Sequence, residues 1–178
     1  MKPEVVVDAS ELDRLYLRHV ASLGEAYANA LVPDGTGPGA AGWDALVVHS
    51  GTPARRSVYD DQFWPLRPCP HFRHWLPLSE PDALLVLRPG QRPRLIRAAE
   101  PSIWEAPAPS ETEAFNEALD VVTASTAAQA RQLVGAGRVA FVGEDPTRAE
   151  AYGASPDGHC PPALIAKLDA LRTTKTAY

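Results

Sequence analysis

The sequence predicts an α/β domain in which helices pack against a mixed β-sheet. Three observations carry that prediction. Short apolar runs of strand length recur along the chain, other stretches space their apolar residues for a helix, and the two kinds of segment alternate toward the carboxyl end. At 178 residues the chain is in the range of one domain, large enough to bury a core without disulfides or a structural metal.

Taken in order, Ser10-Glu11-Leu12-Asp13 sets a capping hydroxyl three residues ahead of a carboxylate, a weaker relative of the capping box. Leu12, Leu15, Tyr16, Leu23, Tyr27, Ala30 and Leu31 then recur near helical spacing. They predict a long amphipathic helix from about Glu11 to Leu31, ended by Pro33-Asp34-Gly35. The stretch from Gly35 to Gly42 is a loop by composition. It leaves a helix and enters a strand, the reverse of what a phosphate cradle requires, and is read as a flexible connection. Ala45-Leu46-Val47-Val48-His49, ending in Ser50-Gly51, has the continuous apolar character of a strand covered on both faces.

Further strands are expected at Ala83–Leu87, Arg94–Ile96, Leu119–Val122 and Val139–Val142, with Pro89-Gly90 as a hairpin connection. Ala127–Val134 has helical composition and is ended by Gly135 and Gly137. This strand, helix, strand order favours parallel pairing of the last two strands. Short helices are expected at Glu111–Glu117 and Ala149–Tyr152. A final one runs through Leu171 and is opened by Pro161-Pro162, Pro162 suiting the first helical turn.

Composition narrows the function. Hydrophobic residues at 45% and charged residues at 22% exclude a highly charged disordered chain, while 12 Gly and 18 Pro imply many turns and rigid connections. A net charge of -5, with Arg and Lys scattered among the acids, disfavours nucleic acid as a partner. Cys69 and Cys160 lie far apart without a C-x-x-C partner, which suits a reducing cytoplasm. The sequence contains neither a membrane-length apolar run nor a signal-peptide pattern, so a soluble cytoplasmic protein with no membrane partner is expected.

The stretch from Asp60 to Leu78 is unusual: Phe63, Trp64, Phe72 and Trp75 are interleaved with prolines, with almost no periodicity. Such a segment is either a cover over the core or a binding loop. His71 and His74 lack the glutamate and the long helix of an H-E-x-x-H metal site and are read as surface or loop packing. His49-Ser50 is not read as a nucleophile pair, because neighbours on a strand point to opposite faces and no G-x-S-x-G elbow surrounds them. Asp60-Asp61 can be read in two ways. Adjacent carboxylates on an exposed turn are ordinarily solvated. Beside this aromatic stretch, one of them could instead meet the ammonium group of a peptide or amino acid.

Trp43 through Gly51, then Tyr59-Asp60-Asp61, Trp64-Pro65, Pro70-His71-Phe72 and Trp75-Leu76-Pro77 resemble successive blocks of the bacterial Xaa-Pro dipeptidases, a group that includes the organophosphorus acid anhydrolases. Leu171 through Tyr178 is similar to the R-x-x-K-T-x-x-E segment that opens that family's catalytic domain. The Gly-rich insert from Gly35 to Gly42 and the prolines at Pro68 and Pro109 depart from the family pattern.

The resemblance implies that residues 1–171 form a creatinase-type amino-terminal domain and that 172–178 begin a pita-bread catalytic domain. It implies two manganese ions in that catalytic domain, held by two Asp, one His and two Glu, none of whose motifs lies in this chain, so that the chain alone would be inactive. It also implies a homodimer whose Asp-Asp loop enters the partner's dipeptide pocket. Asp61 matches the pocket-lining aspartate, and Trp64 is the weaker candidate beside it. A non-enzymatic peptide-binding module of the same fold is the alternative, since fold alone does not choose between them.

Overall fold

The computed structural model describes residues 9–33, 42–59, 61–98 and 113–172. Its elements are α1 (Ala9–Leu31), β1 (Ala45–His49), α2 (Pro70–Trp75), β2 (Leu84–Leu87), β3 (Arg94–Ala98), α3 (Glu113–Ala118), β4 (Asp120–Ala124), α4 (Ala127–Val134), β5 (Val139–Val142), α5 (Pro146–Ala151) and α6 (Pro162–Leu171). Among the described residues the strands form one 5-stranded sheet of order β4-β3-β2-β1-β5. β1 pairs antiparallel with β2 and parallel with β5, β2 pairs antiparallel with β3, and β3 pairs parallel with β4. The sheet is mixed and flanked by helices, as the sequence implies.

Side chains alternate across the central strands and fill two apolar layers. Leu46, Val48, Leu85, Leu95 and Val142 pack on one face with Tyr27, Leu31, Phe72, Trp75 and Leu168, which come from α1, α2 and α6. Ala45, Val47, Leu84, Val86 and Phe141 point the other way, toward Val134, Ala149 and Tyr152 on the side of α4 and α5. A strand buried on both faces cannot keep a polar alternation, which is why β1, β2 and β5 read as unbroken apolar runs.

The structure corrects the expected strand pairing. β4 and β5 run in the same direction but lie on opposite edges of the sheet, each paired with a different neighbour. The hairpin partner β2 and its neighbours already fill the middle, so the chain passing through α4 must cross the whole sheet. Helix α4 has the bounds expected from the sequence. Thr126 caps it by accepting from the Gln129 backbone N–H, and Gly135 ends it at φ 81, a left-handed conformation that favours glycine. Helix α5 starts earlier than expected because the Asp145 carboxylate accepts from the Thr147 backbone N–H and Pro146 fits the first turn.

The stretch from Asp60 to Leu78 is not irregular throughout. Pro70–Trp75 forms α2, a helix too short for its periodicity to stand out, opened by Pro70. The sequence readings at Gly35 to Ala41, Asp60, Pro109, Glu111, and 173–178 lie outside the described residues.

Candidate functional site

At the end of β1 the chain turns sharply out of the sheet. Gly51 adopts φ 117, open to glycine and strained for other residues. The excursion that follows is pinched closed at its base. The Ser50 carbonyl accepts from the Cys69 N–H at 2.8 Å, the Gly51 carbonyl from the Asp82 N–H at 2.9 Å, and Ser50 Oγ from the Ala83 N–H at 3.0 Å.

Beneath this base, Asp82 Oδ1 gathers three side chains. His49 Nε2 lies 3.2 Å away, Arg148 Nη1 lies 3.2 Å away, and Thr52 Oγ1 donates at 2.5 Å. Burial opposes ionisation of Asp82, yet the bonds from His49 and Thr52 and the charge of Arg148 outweigh it and hold the carboxyl below its usual range. The node ties β1, the start of the excursion, the approach to β2, and α5 together at the foot of the excursion.

From that foot rises a short two-sided arm. Trp64 N–H donates to the Ala54 carbonyl at 2.8 Å, Arg56 N–H donates to the Gln62 carbonyl at 2.9 Å, and Arg55 and Phe63 form an antiparallel bridge. Guanidinium groups lie across the arm over aromatic rings, with Arg55 5.7 Å from the Phe63 centroid and Arg56 4.8 Å from that of Trp64. At the tip, Ser57 Oγ accepts from the Tyr59 N–H at 3.1 Å. Tyr59 is 94% exposed and Val58 81%, and Trp64 remains 57% exposed. Asp61 is exposed where the chain begins its return. A groove of about 380 Å³ runs along the root of the arm, lined by Thr52, Ala54, Trp64, Leu66, Arg67 and Glu144 among others.

The structure therefore brings Asp61 and Trp64 onto one arm, while the neighbouring Asp60 lies outside the described residues. His71 and His74 are elsewhere, and the surface reading of them is corrected. His71 is buried on α2 with Nε2 3.4 Å from Asp169, and His74 Nδ1 meets the Tyr27 hydroxyl at 3.3 Å. Burial holds both imidazoles below their usual range and pushes the Tyr27 phenol up to about 12. His49 and Ser50 serve the foot of the arm through separate partners.

Among the described residues no group of three or more His, Cys, Asp and Glu side chains is arranged to hold a metal ion. Nor is any described helix long and apolar enough to cross a membrane.

Sequence reasoning missed Arg55, Arg56 and the Asp82–Arg148 pair. The signal for the first two was present, since a cation pair precedes the tip and an aromatic pair follows it, as a hairpin would align them.

Fold and arm together define an α/β domain of mixed sheet whose first strand is followed by a projection carrying a carboxylate, two arginines and exposed aromatic side chains. The chain belongs to the family of Xaa-Pro dipeptidase N-terminal domains, whose family model matches residues 14–169. Among curated relatives, Xaa-Pro dipeptidases from Shewanella pealeana and Pseudoalteromonas atlantica are each 29% identical over 171 residues, covering 94% of this chain and 37% and 36% of theirs. That of Shewanella putrefaciens is 30% identical over the same length, covering 94% of this chain and 37% of its own. The chain thus spans little more than a third of the relatives it matches. The low-pH form of aminopeptidase P from E. coli superposes with a TM-score of 0.45 at 20% identity, over 88% of this chain and 33% of that one, too loosely to carry an argument.

Proposed function

We propose that the chain is the non-catalytic amino-terminal domain of an enzyme that hydrolyses Xaa-Pro dipeptides, and that it supplies dimer contacts together with an arm that shapes the partner subunit's pocket. The hydrolysis, and the two manganese ions that support it, belong to a separate catalytic domain, and the chain by itself is inactive. The enzyme works in the cytoplasm as a homodimer.

The observation that carries this reading is the arm itself. A hydrogen-bonded foot carries a projection that leaves a carboxylate and large aromatic side chains in solvent. Exposed apolar surface of this kind is costly to keep unless a partner covers it. In the partner's pocket, Asp61 accepts the α-ammonium group of the dipeptide through a charge-assisted hydrogen bond, and Trp64 lines the wall beside it. A longer peptide carries an uncharged amide at that depth, so the carboxylate restricts the enzyme to dipeptides.

The test compares the specificity constants of the full-length enzyme for a Xaa-Pro dipeptide and for its amino-acetylated analogue. Native enzyme rejects the analogue, and Asp61→Asn narrows the gap by about 1.5–3 kcal/mol in transition-state terms. Asp60→Asn does much less. If Asp61→Asn leaves both constants unchanged, the pocket-lining role is wrong and the arm is a dimer contact only.

A further inference from the structure

We propose that Arg56 is a positioning residue for substrate recognition, holding the returning side of the arm so that Asp61 meets the dipeptide ammonium. The role rests on the pocket-shaping reading above.

Three interactions from Arg56 cross the arm. Its backbone N–H donates to the Gln62 carbonyl at 2.9 Å, its Nη1 donates to Gln62 Oε1 at 3.1 Å, and its guanidinium lies over the Trp64 ring at 4.8 Å. Gln62 directly follows Asp61 and Trp64 comes shortly after, so a single side chain grips the strand that carries the carboxylate at two points. Arg55 makes a longer interaction of the same kind, 5.7 Å from the Phe63 centroid.

These interactions matter because, beside the Trp64–Ala54 backbone bond and the Arg55–Phe63 contact, they join the two sides of the arm. Val58, Tyr59, Phe63 and Trp64 are all exposed, so no buried core lies among the described residues of the projection. A lone two-stranded hairpin in water is marginally stable at best. The foot fixes where the arm starts, but Ser50, Gly51 and Cys69 lie well behind the tip and do not set the direction of Asp61. Arg56 does so from within the arm.

The chemistry suits arginine over lysine. A planar guanidinium can lie flat on an indole while one of its nitrogens donates sideways to an amide oxygen, whereas a lysine ammonium offers a point charge without that plane. Apparent affinity for the dipeptide then scales with the fraction of time the arm spends in the competent conformation. Arg56 touches no reacting atom, so its removal should act on binding and selectivity and leave the chemical step alone.

The experiment uses the full-length enzyme with a Xaa-Pro dipeptide and its amino-acetylated analogue. Arg56→Ala is expected to raise KM for the dipeptide about fivefold, the scale set by removing an exposed cation–π interaction and a hydrogen bond together, while kcat stays within about twofold. Arg56→Lys falls between native and alanine. In an Arg56→Ala, Asp61→Asn double variant, discrimination against the acetylated analogue is no narrower than in Asp61→Asn alone, because Arg56 acts through that carboxylate. Amide hydrogen exchange at Trp64 speeds up in Arg56→Ala while exchange in the central sheet does not.

An unchanged KM, a fall in kcat with KM fixed, or a further additive narrowing in the double variant overturns the positioning role. A strong effect of Asp61→Asn with none from Arg56→Ala overturns it alone. If Asp61→Asn leaves the discrimination intact, the pocket-shaping reading fails and the role of Arg56 in recognition falls with it.

Discussion

Two neighbouring stretches, each bearing aromatics close to prolines, meet opposite fates. Tyr59 to Trp64 and Phe72 to Leu76 both carry paired aromatics close to prolines. In the second, Phe72, Trp75 and Leu76 are buried in the larger apolar layer, with the Trp75 ring edge-on to Tyr27 at 5.1 Å. In the first, Tyr59, Phe63 and Trp64 stand in solvent with arginines beside two of them. The difference lies in what the backbone does. Pro70 starts a helix, and a single turn of helix delivers Phe72 and Trp75 to the same side, onto the sheet. The arm pairs with itself through one isolated antiparallel bridge and lies outside the sheet. Aromatics on a helix against the sheet stabilise the fold, whereas aromatics on a projection do so very little, which is the physical reason to look for function in the arm.

The sharpest way to break this comparison is to truncate one tryptophan from each stretch. Trp75→Ala removes a fully buried ring and should destabilise the domain by about 3–5 kcal/mol in denaturant melts. A destabilisation under about 1 kcal/mol would mean that α2 is not part of the core.

Acidification probes the buried stretch a second way, with a smaller effect. His71 and His74 are held neutral by burial, so their folded pKa values lie below those of the unfolded chain. As pH falls through about 6.5, the unfolded state takes up protons that the folded state does not, and stability declines until the folded pKa values are reached. Asp82 adds to the same trend lower down. Its carboxyl is held below its usual range, so the stability it contributes is present above about pH 4 and is lost as pH falls through the folded value. Urea midpoints measured at stepped pH should decline from neutrality downward, and a flat profile between about pH 7 and 5 would contradict the buried, neutral histidines.

The smallest expected effect on stability is in the arm. Trp64→Ala should shift the unfolding free energy by no more than about 0.5 kcal/mol, because the ring is more than half exposed and covers no core. The same variant in the full-length enzyme should raise KM for the dipeptide. A large drop in stability here would erase the distinction between the two stretches.

How much of this was legible depended on how local each signal is. The strands β1 and β5 coincide with the apolar runs Ala45–His49 and Val139–Val142 because double-sided burial imprints itself residue by residue. Helix α4 was legible because Gly135 marks its end through backbone sterics alone. The placing of β4 and β5 on opposite edges was not, since strand order depends on which neighbours are already occupied and leaves no mark in either segment. Helix α2 was hidden by its brevity and by prolines that suggest a loop.

At the arm, Asp61 could be singled out only with the help of the family pattern around Tyr59 to Pro65. Arg56 was marked only as one of a cation pair facing an aromatic pair, and its role depends on the register that sets it opposite Gln62 and Trp64. The Asp82 node was still harder to see. It joins His49, Thr52 and Arg148 from distant parts of the chain, and no local sequence motif marks those pairings.

The central claim is that the arm of one subunit completes the pocket of the other. It is tested most directly in mixed dimers of the full-length enzyme, purified through two different affinity tags. One subunit carries Asp61→Asn with an intact catalytic domain, and its partner carries a native arm with an inactivated catalytic domain. The mixed dimer then has one working pocket, served by the native arm of the inactive subunit. Its discrimination between the free and the amino-acetylated dipeptide should match that of native enzyme. If the mixed dimer discriminates as poorly as the Asp61→Asn homodimer, the arm does not act across the dimer and the claim is contradicted.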